Sequence, residues 1–340
     1  MKYLKSIKKN AFVLVLILVI ILYCVLKDDF LNIINTLIKA DIKWILVAVL
    51  FIVIYWFLRA LCLYSITREY SKKIKFKKIF SLTLITQFFN GITPFSSGGQ
   101  PMEVYYLSKA GIKASKGTNI ILQNFIMYQM ALILYGIIAI FLNYYFHFFK
   151  EVAILKELTL IGFIVNTLVG VGLLFVSFST KFNKMIVSFA IKFCHKIKLV
   201  KNIDETAEKW TIRLNEFHES AELFKRKKLL FLKGFIYNFM ALGCFYIIPL
   251  FVIYGMGHFD ITPVQVIVSS AYVMIIGAFV PIPGGSGGIE FGFLQFLGNF
   301  VTGSILSASL LVWRFITYYI GIIIGAVAIN FYKGDERKCE

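Results

Sequence analysis

Residues 90–103 read Asn-Gly-Ile-Thr-Pro-Phe-Ser-Ser-Gly-Gly-Gln-Pro-Met-Glu, and residues 281–290 read Pro-Ile-Pro-Gly-Gly-Ser-Gly-Gly-Ile-Glu. Aligned on Pro94 and Pro283, both contain P-x-x-S-G-G, 189 residues apart, and each is followed by a glutamate, Glu103 or Glu290. Each motif interrupts an otherwise apolar region, 79–108 or 264–301. An unbroken apolar stretch of about 20 residues reads as a helix that crosses a bilayer. Pro and Gly in its middle stop the helix part-way, and backbone released at that depth must be covered by protein or a hydrated cavity.

Around these two regions the chain has the composition of a membrane protein. Hydrophobic residues make up 59% and charged residues 16%, with 35 Phe and 18 Tyr. That leaves too little charge for a soluble surface, since ordinary globular domains carry roughly a quarter charged residues. Six further stretches read as spans: 11–26, 43–66, 119–146, 159–178, 234–256 and 304–331. The first follows Lys2, Lys5, Lys8 and Lys9 like a secretory signal, but no small-residue cleavage site succeeds it, so it reads as an uncleaved span.

The net charge of +18 lies between the apolar runs and not along one face, which points to membrane topology and excludes nucleic-acid binding. With a cytoplasmic N-terminus, basic segments 68–78 and 109–116 fall on the same side, so region 79–108 enters and leaves by one face. The loop 181–233 carries 13 Lys/Arg against 6 acids, and helical spacing of Trp210, Leu214 and Phe217 makes it a cytoplasmic amphipathic segment. Segment 257–263 has no Lys or Arg, so 264–301 enters from the outer face. This arrangement puts 29 of the 36 Lys/Arg inside. The expected fold is therefore all-α and integral to the membrane, a single transmembrane domain over 1–340. It has about six full spans plus two inverted re-entrant helical hairpins, with both termini cytoplasmic in a bacterial-type plasma membrane.

Inverted broken helices place helix N-termini near the bilayer centre, where free N–H groups and the helix dipole favour anions. Ser97 and Ser286 suit the N-cap of each returning half-helix, Ser97–Gln100 has capping-box spacing, and Pro101 suits the first turn. Glu103 and Glu290 alone among the acids fall inside the broken regions. Each either bonds the N–H groups of its own half-helix or couples protons or substrate. Arg314, about ten residues into the last span, is too deep to snorkel easily and suits Glu290 or a phosphate as partner. Arg59 lies nearer the end of its span, where snorkelling competes with a functional role. Gln87, Asn90, Gln100, Gln123, Asn124, Gln129 and Asn238 either line a hydrated path or bond between helices. The five Cys and four His are dispersed, with no C-x-x-C, H-E-x-x-H, Walker A or nucleophile elbow. No metal, cofactor or ATP-driven chemistry is expected.

The run Asn90-Gly91-Ile92-Thr93-Pro94 with Ser97-Gly98-Gly99-Gln100-Pro101 and Glu103 resembles the first signature of the lysylphosphatidylglycerol synthase/flippase family. Pro281 to Glu290 resembles the second, and the surrounding spans fit, so the resemblance covers most of the chain. It implies a membrane domain that translocates aminoacylated phosphatidylglycerol or other lipid-linked headgroups, and a link to resistance against cationic antimicrobial peptides. Full-length bacterial members add a soluble aminoacyltransferase domain. This chain reaches Glu340 soon after its last span, so a transporter and not an enzyme is expected.

The expected function is thus flippase-like translocation of an anionic or aminoacylated phospholipid such as lysyl-phosphatidylglycerol. The substrate-binding residues would be Ser97, Gly98, Gly99, Gln100, Glu103, Ser286, Gly287, Gly288, Glu290 and Arg314. Two other readings stay open: a membrane enzyme or partner subunit in phospholipid modification, with the two Glu as acid and base, and a secondary transporter of a small anion. The expected partner is a membrane phospholipid, with a second copy of the chain as a further candidate.

Overall fold

Helices in this chain start and stop where the sequence supplies caps and breakers. A computed structural model describes residues 30–149, 153–178, 185, 227–278 and 280–332, and among these the secondary structure is helical with no strand. After α1 (Phe30–Ile38), Asp41 accepts the Lys43 N–H at 2.9 Å and opens α2 (Ile42–Tyr70). Helix α3 (Phe76–Ile92) stops at Thr93, because a residue before proline is driven out of helical geometry. A 3₁₀ turn, Pro94–Ser96, leads to α4 (Gly99–Lys109), followed by α5 (Ala114–Phe146) and α6 (Ala153–Phe178). The second half comprises α7 (Lys228–Tyr246), α8 (Ile248–Gly255) and α9 (Pro263–Gly277). A second 3₁₀ turn, Pro283–Gly285, then leads to α10 (Gly288–Leu297), α11 (Gly303–Arg314) and α12 (Ile320–Phe331).

Among the described residues four helical segments are long and apolar enough to cross a membrane: Ile42–Tyr70, Ala114–Phe146, Lys228–Gly255 and Gly303–Phe331. At about 1.5 Å per residue each exceeds the hydrocarbon thickness of about 30 Å. They contain four of the expected spans. Two are less regular than expected. The span at 234–256 is divided at Ile247 ahead of Pro249, which lacks the N–H that would continue the ladder. The span at 304–331 widens into a π segment at Phe315–Tyr319. The expected span 159–178 lies within α6, whose Thr159–Gly172 part forms a shorter apolar helix. The expected first span, 11–26, and nearly all of the loop 181–233 lie outside the described residues.

Each broken apolar region is two short helices that pack on one another across their turn, α3 on α4 and α9 on α10. Helix α2 runs between α7, α8, α3 and α5, and α12 lies along α3. Two apolar cores result. One holds Trp56, Tyr246 and Phe293 among α2, α7 and α10; the other holds Leu63, Ile66, Leu82, Leu107 and Ile120 among α2, α3, α4 and α5. The two 3₁₀ turns touch each other.

The candidate headgroup cavity

The repeated motif produces a repeated backbone. Phe95 (φ 54, ψ 18) and Ser96 (φ 50) in the first turn match Gly284 (φ 65, ψ 15) and Gly285 (φ 62) in the second. Both pairs are left-handed, a conformation that glycine adopts freely and Phe and Ser adopt at a cost of about 1–2 kcal/mol each. In both turns the serine hydroxyl donates back to the proline carbonyl: Ser97 Oγ to Pro94 O at 2.9 Å, Ser286 Oγ to Pro283 O at 3.0 Å. The serines are therefore turn locks and not the expected N-caps. The turns diverge one residue later, where Gly287 has φ 89 and Gly98 has φ −75.

Capping of α4 comes from the helix before it. Thr93 Oγ1 accepts the Gly98 N–H at 2.8 Å, and Asn90 Oδ1 accepts the Gly99 N–H at 2.9 Å. A β-carbon at Gly99 would lie 2.3 Å from Asn90 Oδ1, so only glycine permits this approach. The Ser97–Gln100 capping box does not form, because Asn90 and Thr93 already serve that end; Pro101 does lie in the first turn of α4. Glu103 points back along the hairpin, and its Oε1 accepts from Thr86 Oγ1 on α3 at 3.1 Å.

The second hairpin closes around a buried charge pair. Arg314 Nε lies 2.7 Å from Glu290 Oε1, both side chains being 7% exposed. Its Nη2 donates to Gly284 O and to Ser286 Oγ, each at 3.2 Å, and its guanidinium covers the Tyr318 ring at 4.5 Å. Glu290 Oε2 accepts the Gly287 N–H at 2.6 Å, the cap at the start of α10. Tyr318 in turn donates to Gly91 O of the first hairpin at 2.8 Å, so one side chain ties the two hairpins together.

Beside the two turns lies a cavity of about 910 Å³. Its walls are Tyr55, Arg59 and Leu63 of α2, Thr83 to Asn90 positions of α3, the first turn, and a long face of α5 that includes Asn124 and Tyr128. The second hairpin contributes Gly284, Gly285 and Ile289. Of the ten expected site residues, Ser97, Gln100 and Glu103 are on this wall. Gly98 and Gly99 sit immediately behind it as the capped start of α4. Ser286, Gly287, Gly288, Glu290 and Arg314 are not on the wall; apart from Gly288, which opens α10, they form the bonded cluster behind the second turn. Of the polar residues expected along a path, Gln87, Asn90, Gln100, Asn124 and Gln129 line the cavity. Asn238 instead holds Arg59, and Gln123 is wholly buried.

Residues 10–325 match the family described as the lysylphosphatidylglycerol synthase transmembrane region. The chain belongs to that family. It is also similar to a UPF0104 membrane protein of Archaeoglobus fulgidus, with 24% identity over 85% of this chain and 87% of the relative. An uncharacterised protein of Mycoplasma pneumoniae is 22% identical over 92% of this chain and 83% of its own. The family match is to a transmembrane region, and among the residues it covers are both turns and every cavity wall.

Arg59 is the cavity-wall residue that the sequence only half disclosed. Its Nη1 donates to Asn238 Oδ1 and its guanidinium lies 4.5 Å from the centre of the Tyr128 ring. The available signal was a lone arginine in the apolar run 43–66 together with a lone asparagine in 234–256. Membrane helices place such polar groups against each other.

Proposed function

We propose that this family member translocates phospholipid headgroups between leaflets through the cavity at which its two turns meet. One observation carries this reading: a cavity of headgroup size at the meeting of two helix–turn–helix units, with a guanidinium (Arg59) and a carboxyl (Glu103) on its wall. Ligand sites of about 300–1,000 Å³ with a few placed polar groups are the usual form of a small-molecule site. In this reading the chain makes six spans in a bacterial-type plasma membrane, with cytoplasmic termini. The units α3–α4 and α9–α10 are re-entrant and enter from opposite faces, as in inverted-repeat transporters. Helices α4 and α10, with 11 and 10 residues, reach only about 15–17 Å each and are too short to cross alone. The substrate is an anionic or aminoacylated phosphatidylglycerol, the lipid chemistry in the family's description. Arg314 and Glu290 hold the shape of the wall from behind the second turn and do not touch the headgroup.

Leaflet exchange of labelled phosphatidylglycerol and lysyl-phosphatidylglycerol in proteoliposomes tests the proposal. The comparison is wild type beside Leu122→Trp, which fills the cavity from α5 and leaves the residues of both turns unchanged. Exchange above protein-free vesicles that falls in Leu122→Trp is expected. Equal exchange in both proteins rejects the proposal; no exchange of either lipid rejects phosphatidylglycerol chemistry as the substrate, and flux of a soluble anion in the same vesicles would then favour a small-anion transporter.

A further inference from the structure

Among the described residues, two sets of arginine and glutamate lie within the helical bundle, and one of them is closed. Arg314 and Glu290 are in contact, and each is held further by the second turn. Arg59 and Glu103 share the cavity wall, yet among the described residues neither is in an ion pair. Arg59 gives one N–H to Asn238, and its other donors meet no protein acceptor among the described residues. A guanidinium carries five N–H donors in a planar fork. Glu103 is 6% exposed, and its Oε1 accepts from Thr86, while Oε2 has no donor among the described residues. In the same wall Asn124 Oδ1 is buried and also lacks a donor. Deeply placed charges are expensive unless paired, so a cavity that holds a cation and an anion apart is completed by a ligand with the opposite charges at its two ends.

We infer that the cavity selects a phospholipid headgroup with one phosphate and one primary ammonium, zero in net charge, with phosphate on Arg59 and ammonium on Glu103. The inference rests on the translocation reading above and replaces its phosphatidylglycerol substrate with a class defined by balanced charge. The phosphate suits the guanidinium fork. An ammonium has three donors and no acceptor, which fits a wall where a carboxylate oxygen and an amide oxygen both lack donors. A phosphatidylglycerol headgroup brings one negative charge and leaves Glu103 facing it without a cation. A lysyl headgroup brings two ammonium groups and leaves one with no carboxylate. Ethanolamine and singly aminated aminoacyl-glycerol headgroups share the balanced chemistry, and they differ in length.

The test compares exchange of four labelled lipids in proteoliposomes: phosphatidylethanolamine, alanyl-phosphatidylglycerol, phosphatidylglycerol and lysyl-phosphatidylglycerol. Wild type is expected to exchange one or both of the balanced headgroups at least about tenfold faster than phosphatidylglycerol, within the range set by leaving one buried polar group unpaired. Which of the two is faster identifies the source. Glu103→Gln is expected to erase the preference, and Glu103→Asp to keep its rank order. Arg59→Gln slows all four, because all carry phosphate. Equal wild-type exchange of phosphatidylglycerol and the balanced lipids overturns the inference without any variant being made, and leaves translocation standing. Absence of exchange for every lipid rejects translocation. Thermal stabilisation of the detergent-purified protein by the same four lipids then decides the inference: stabilisation by a balanced lipid over phosphatidylglycerol that is lost in Glu103→Gln supports it, and equal stabilisation overturns it.

Discussion

At Gly284 the chain is left-handed, and a β-carbon would stand 2.1 Å from Cε2 of Tyr318. Gly284→Ala therefore meets two penalties, the left-handed conformation at about 1–2 kcal/mol and a clash with a ring held by Arg314 and Gly91. We expect the variant to lose about 2 kcal/mol or more of stability, read as a lowered thermal midpoint in detergent, with part recovered in Gly284→Ala/Tyr318→Leu. Phe95 occupies the equivalent position in the first turn and is 60% exposed. Arg314 and Glu290 allow a second prediction. Either Arg314→Met or Glu290→Leu leaves a buried partner unsatisfied, at about 3–5 kcal/mol, whereas Arg314→Met/Glu290→Leu removes both charges and should cost less than either. Additive losses in the thermal midpoints would show that the two side chains do not act as a pair. The turn itself was legible in the sequence, since P-x-x-S-G-G occurs twice and both copies fold alike for the first residues. The capping was not. Sequence spacing makes serine a helix cap, but in a 3₁₀ turn the carbonyl three residues back is nearer, and Asn90 and Thr93 reach the N–H groups from the preceding helix. Sequence spacing carries no signal for that return.

Between elements the connection that matters is Tyr318. It lies in the π segment between α11 and α12, packs on the second turn and bonds Gly91 at the end of the first hairpin's leading helix. A π segment shifts the register of the residues that follow it and is frequent at functional sites. Here it sets Tyr318 between the two turns. Tyr318→Phe keeps the ring on Gly284 and under Arg314 and removes only the hydroxyl. The expected loss is about 1 kcal/mol, the typical net worth of one hydrogen bond, with a corresponding fall in thermal midpoint. An unchanged midpoint would mean that the hairpins are held together by packing alone. Periodicity and apolar length foretold α2 and α5, because a long uninterrupted apolar run has no other solution in lipid. They could not foretell the π segment, which no residue type encodes locally. Nor could they foretell that Arg59 turns inward. That choice depends on Asn238 and Tyr128, which come from distant parts of the chain and meet Arg59 only after α2, α5 and α7 have packed.

For the whole molecule, charge and geometry make one joint demand on the membrane. Lys77 and Lys113 are exposed, and they lie on either side of the first hairpin. Within that hairpin Glu103 reaches Thr86, and Gly99 reaches Asn90, so the chain doubles back on itself and does not continue in one direction. If α3 and α4 enter and leave by one face, both lysines face the cytoplasm, where the positive-inside rule places them. The exposed Asp260, after α8, then faces the other side. Lys77→Cys, Lys113→Cys and Asp260→Cys, each introduced singly with the native cysteines replaced, can be labelled in intact cells by an impermeant maleimide. Labelling of Asp260→Cys alone is the expected outcome, with the other two reacting only after the membrane is opened. Labelling of one lysine position but not the other from outside would mean that the first region crosses completely. The two turns would then no longer approach the bilayer centre from opposite faces, and the cavity between them would open along a route that does not join the leaflets. The translocation reading depends on that geometry more than on any single side chain, because a headgroup crosses only if the cavity it occupies is reachable from both surfaces in turn.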